Sequence, residues 1–173
     1  MKCFHGLIIA LMAVWALPSH AQSLGDTVSE PGLFSYQAPK DWKVTTSAMS
    51  KYKVCMGAPQ NNFVPNINVV TEKYAKPLVE YVELNKTNLK ASPIFLNLQI
   101  LDQKPFEATT GVKGIRVVVK DTLGKVDMQQ IFYFFEEGTD TKLVVTASCS
   151  VADGDHYASI FDASMKTFST SNK

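Results

Sequence analysis

The run IFYFF, residues 131–135, constrains this chain more than any other short stretch of it. Successive side chains of a β-strand point to opposite sides of the sheet, so a strand with one wet face alternates apolar with polar residues. Here both parities are apolar, and the strand must be covered on both faces. A sheet built around it needs a packing layer on each side.

Two segments supply such layers. In KPLVEYVELNKTNLKASP, Pro77 suits a first helical turn and Pro93 ends the pattern; Leu78, Val82 and Leu89 lie along one side, with Tyr81 and Leu84 near it. The spacing predicts a helix over about 77–90. Near the end of the chain, Tyr157, Ile160, Phe161, Met165 and Phe168 form one apolar stripe, a second amphipathic helix with Asp155 as its cap. The rest reads as strands. Phe34, Tyr36 and Ala38 alternate with Ser35 and Gln37 up to Pro39, and 42–46, 51–56, 67–70, 96–104, 115–120, 126–135 and 142–148 follow. Gly124 in DTLGK can take the positive φ that a hairpin needs. The expected fold is α+β: a single domain over 33–170, with an antiparallel β-sheet sandwiched between α-helices. Residues 22–32, QSLGDTVSEPG, are small, polar and broken by Pro31, and read as a flexible lead-in.

The first residues are MKCFHGLIIALMAVWALPSHAQS. Lys2, the apolar run from Gly6 to Leu17, and small Ser19 and Ala21 around His20 have the build of a secretory signal peptide over 1–21. The run is about a dozen residues, short of the roughly 20 that a spanning helix needs. Cys3 precedes the run and so cannot be a lipoprotein acceptor. The mature protein is therefore expected in the periplasm, or secreted, with no membrane span after signal cleavage.

The whole chain has 17 basic and 16 acidic residues, and loss of Lys2 with the signal leaves 16 of each. Such a balance, with Arg116 as the only arginine, gives no reason to expect a nucleic-acid partner. Cys55 and Cys149 survive processing, and in an oxidising compartment a pair is most simply one disulfide. Strand parity opposes this: in KYKVCM, Cys55 falls with Lys51 and Lys53, whereas Cys149 falls with Leu143, Val145 and Ala147. A bulge or an end-of-strand position would reconcile the two.

Catalytic apparatus is not advertised. The mature chain has one histidine, His156, read as a solvated surface residue, and neither cysteine has a histidine near it in sequence. Phosphate loop, dinucleotide fingerprint, Gly-x-Ser-x-Gly elbow and zinc patterns are all missing. Asp153 and Asp155 in VADGD are too few for a calcium loop and suit a helix start. No catalytic residue, cofactor or metal is expected. Contact chemistry is best supplied by the turn-rich loop GAPQNNFVPN, which offers Gln60, Asn61, Asn62 and Phe63 between prolines. The alternative for Phe63 is to fold back onto the core.

A strand reading FSYQAP, the corner PKDW, then PNINVV, an amphipathic helix, and finally KLVVTAS before a helix ending in Met-x-x-Phe together resemble the PsbP-like fold. That grouping includes the photosystem II extrinsic protein P, a Ran-binding nuclear import factor and bacterial periplasmic proteins such as the DcrB family. The resemblance spans roughly 33–168 and rests on strand ends and core positions. It implies a non-enzymatic sandwich that binds another protein, with Trp42 as a corner residue packed against the sheet. It carries over no catalytic residue, and fold alone does not fix function. Three readings follow: an accessory or assembly factor that binds an envelope component; a periplasmic immunity protein that inhibits a secreted toxin; or a small-ligand binder or unrecognised enzyme.

Overall fold

The computed structural model describes residues 23–171. The expected signal peptide at 1–21 lies outside the described residues. Ten strands and two helices follow in the order β1 (Leu24–Glu30), β2 (Phe34–Pro39), β3 (Lys43–Thr45), β4 (Val54–Met56), β5 (Asn66–Lys73), α1 (Leu78–Ala91), β6 (Leu96–Glu107), β7 (Lys113–Leu123), β8 (Val126–Glu137), β9 (Thr141–Ser150), α2 (Gly154–Lys166) and β10 (Ser169–Thr170). A 3-10 turn, Val151–Asp153, leads into α2.

Seven strands form the central sheet in the order β3-β4-β5-β9-β8-β7-β6, every pair antiparallel. As the IFYFF run requires, β8 is buried on both faces. Ile131, Tyr133 and Phe135 enter one core; Phe132 and Phe134 enter the other. The first core is closed by α2 and a second, three-stranded sheet, β1-β2-β10. The second core is closed by α1 through Tyr81 and Val82. The result is an α+β sandwich, with two sheets where the sequence pattern suggested one.

Residues 24–30 correct the expectation of a flexible lead-in. They pair with β2 from Glu30↔Phe34 to Leu24↔Pro39, and only Val28 is buried. Backbone pairing, which needs no apolar pattern, makes this strand. Trp42 sits at the expected corner, but it packs on α2, with its ring 5.9 Å from Tyr157 and 6.0 Å from Phe161.

The edge strand β6 is blunted. Its register with β7 shifts twice, once around Asn97 (φ 54°) and once at Leu101, which has no partner between Ile100↔Val119 and Asp102↔Val118. These bulges, together with Pro105, Asp102 and Lys104, discourage a further strand from pairing there.

Candidate site at one end of the sheet

One end of the central sheet gathers the loop 57–65, the β7–β8 hairpin tip, the start of β6 and the 3-10 turn after β9. The loop is closed at its base, where the Gly57 N–H donates to the Pro65 carbonyl at 2.8 Å. A Cβ on Gly57 would stand 2.9 Å from the Trp42 ring, so only glycine lets the loop return this close to the corner. At its tip, Gln60 and Phe63 exchange backbone hydrogen bonds of 2.8 Å around Asn61 and Asn62, which have φ of 48° and 61°. This left-handed pair is a tight turn that asparagine tolerates better than most residues.

The turn is also latched from outside. The Asn61 side-chain amide donates to both oxygens of Asp153, at 2.9 and 2.8 Å, and the Ser150 hydroxyl donates to the same carboxylate at 2.6 Å. The hydrogen bonds from Ser150 and then Asn61 hold the Asp153 carboxyl below its ordinary value. Asp153 precedes α2 without a side-chain cap hydrogen bond, and Asp155, expected as the cap, lies inside the helix.

Gln60, Asn61 and Asn62 are exposed, while Phe63 is half-buried and outside both cores. Asn61 and Asn62 line a cleft of about 380 Å³ whose other wall is Lys125 and Asp127 of the hairpin tip. Asp127 and Val151 belong also to a second cleft, about 280 Å³, which reaches Asn97, Lys120 and Asp121.

Asp121 was not singled out in the sequence. It is 3 % exposed; its Oδ2 accepts from the Gln130 amide at 3.0 Å, and its Oδ1 has no hydrogen-bond partner. Burial pushes its carboxyl above the usual aspartate range, against the opposing pull of Gln130. The signal was present in VVVKD: Asp121 shares its parity with Val117 and Val119, an apolar face on which a carboxylate is out of place.

Cys55 and Cys149 are free, buried thiols, which corrects the expected disulfide. Cys55 lies opposite Ile67, and Ile67 opposite Ala147, two residues before Cys149. Two inter-strand steps separate the cysteines by more than about 9 Å, beyond the reach of roughly 7 Å between bridged Cα atoms. They face the same core, not opposite faces. Burial pushes each thiol up to about 12, so neither is a ready nucleophile. His156 is exposed, against Tyr157. Among the described residues, no three His, Cys, Asp or Glu side chains are grouped to hold a metal.

No family model matches this chain, and no curated protein matches it in sequence. Solved structures do match in fold. The cyanobacterial PsbP protein CyanoP from Synechocystis sp. PCC 6803 aligns with a TM-score of 0.61 at 13 % identity, over 88 % of this chain and 95 % of that one. LpqN, involved in cell envelope biogenesis of Mycobacterium tuberculosis, aligns with a TM-score of 0.62 at 14 % identity, over 84 % and 89 %. The Saccharomyces cerevisiae Ran-binding protein Mog1p aligns with a TM-score of 0.55 at 8 % identity, over 86 % and 97 %. The chain has the PsbP-like fold. No helix among the described residues is long and apolar enough to cross a membrane.

Proposed function

We propose that this protein is an exported, non-enzymatic binding module, an accessory or assembly factor that engages another protein of the bacterial envelope. The observation that carries the reading is the locked turn at 60–63. Asn61 and Asn62 stand exposed along a cleft of mixed polar and apolar lining, held by the backbone of the turn and, through Asn61, by Asp153. A surface ordered before binding loses little conformational freedom on binding, which favours recognition of a folded partner. Among the described residues, the chemistry at this end is amides, hydroxyls, the carboxylates of Asp121 and Asp127, and lysines, a set suited to polar contacts. The signal-like residues 1–21 support export, and the likeness to LpqN supports the envelope role.

The test is site-specific photo-cross-linking of the mature protein in periplasmic and secreted extracts, from position 62 and from Lys113 at the other end of β7. One stoichiometric envelope protein captured from 62 and not from 113 is the expected result. A captured secreted enzyme whose activity falls on binding would replace the accessory role with that of an inhibitor. Equal capture from both positions, or none, would overturn the assignment of this end as the binding surface.

A further inference from the structure

The cleft that reaches Asp121 holds an electrostatic imbalance. Asp121 and Asp127 line it against one lysine, Lys120, so with both carboxylates ionised its wall has one negative charge in excess. Asp121 is almost wholly buried, and one of its oxygens is unsatisfied. A buried acceptor without a donor is unfavourable, and a carboxylate left so is more unfavourable than a neutral group. We propose that this cleft is a socket for the ammonium group of one lysine side chain on the partner protein, an inference that rests on the protein-binding reading above.

The geometry selects that group in three ways. An ammonium brings three donors, and the residues lining the cleft include the acceptors to meet them: the carboxylates of Asp121 and of Asp127, whose Oδ1 already accepts from Thr122 at 2.8 Å, and the side-chain amides of Asn97 and Gln99. A guanidinium asks for a two-oxygen fork, and the second oxygen of Asp121 already shares its lone pairs with Gln130, which makes it the poorer half of such a fork. A divalent cation would want a larger set of oxygen ligands than two carboxylates at this spacing provide, in keeping with the absence of any three-residue acidic or histidine group among the described residues. The raised carboxyl of Asp121 agrees with a site waiting for positive charge.

The experiment titrates the full mature protein, labelled with nitrogen-15, with N-acetyl-lysine methylamide and separately with N-acetyl-norleucine methylamide, which has the same carbon chain without the charge. Saturable shifts at residues 97, 120–122 and 127 and at the Gln130 side-chain amide are expected with the lysine probe alone. In Asp121→Asn, whose own spectrum reports its fold, the lysine probe should bind at least tenfold more weakly. Equal responses to the two probes, or undiminished binding in Asp121→Asn, would overturn the proposal, as would tighter binding of N-acetyl-arginine methylamide. Should Asp121→Asn fold poorly, the two-probe comparison on the unmodified protein decides alone. If the probe fails while position 62 still captures a partner, the ammonium socket falls and the binding reading stands. The reverse outcome leaves a cation socket without the protein partner proposed for it.

Discussion

The two faces of the central sheet are built to different standards. On the α2 side the core is aromatic and closed. Phe168 stacks on Phe135 at 4.2 Å and lies parallel to Phe34 at 6.1 Å, while Tyr157 and Phe161 close on Trp42. On the α1 side the core is small, seven buried residues of which α1 itself supplies only Tyr81 and Val82. That core then gives way to polar groups: beyond Val119 the same face of β7 carries Asp121, and beside it β8 carries Gln130. The difference teaches a division of labour. One face holds the fold together, which leaves the end of the other free to keep polar groups that stability alone would remove.

The comparison breaks most visibly at Phe168. Phe168→Ala removes a fully buried ring from the junction of both sheets and α2, and should destabilise the fold by roughly 3–5 kcal/mol in urea unfolding. On the thinner side, Val82→Ala deletes two buried methyl groups beneath α1, for a loss of about 2 kcal/mol by the same measurement. A larger loss at Val82 than at Phe168 would invert the assignment of the two faces.

The asymmetry was half legible in the sequence. IFYFF announced a strand covered twice, and the stripes at Leu78–Leu89 and Tyr157–Phe168 announced the covers, since a 3.6-residue period survives wherever a helix packs on a sheet. Strand β1 was invisible because it buries a single side chain and is held by its backbone. Cys55 was assigned to the wrong face because the chain bends at 51–52, so counting parity from Tyr52 fails: both residues enter the same core three positions apart. The asparagines and prolines of the loop 57–66 mark it in the sequence as a candidate contact element. Its latch to Asp153 joins residues far apart in the chain, and no local pattern reports such a contact.

Asp121 sharpens the comparison from the other direction. Its folded-state carboxyl lies above the unfolded value of 3.8, so the protonated form is favoured by folding. That contribution is full below pH 3.8 and is lost as pH rises through the folded value; at neutral pH the ionised group weighs against the fold. Asp121→Asn should therefore raise stability near pH 7, by up to about 1 kcal/mol, with the gain shrinking toward zero in acid. A residue whose removal stabilises the protein while weakening lysine-probe binding would be retained for function. Destabilisation at pH 7 would instead make Asp121 part of the structural core.

The smallest effect concerns the latch, and it separates local order from global stability. Asp153 is depressed in the folded state by Ser150, then by Asn61, with His156 adding a minor pull. A depressed carboxyl stabilises above its unfolded value of 3.8 and loses that contribution as pH falls through the lower folded value. The steady-state heteronuclear NOE at 60–63 should therefore be as high as that of the neighbouring strands at pH 7 and fall below pH 3.8. In Asp153→Asn the carboxylate is gone, and the NOE should be low across the whole range, with the urea midpoint at pH 7 lowered only slightly. A turn that stays rigid in both conditions would show that the paired Gln60–Phe63 backbone bonds suffice, since neither depends on a titrating group. Preorganisation of Asn61 and Asn62 would then be a property of the turn itself, and acid would leave partner binding at this end unchanged.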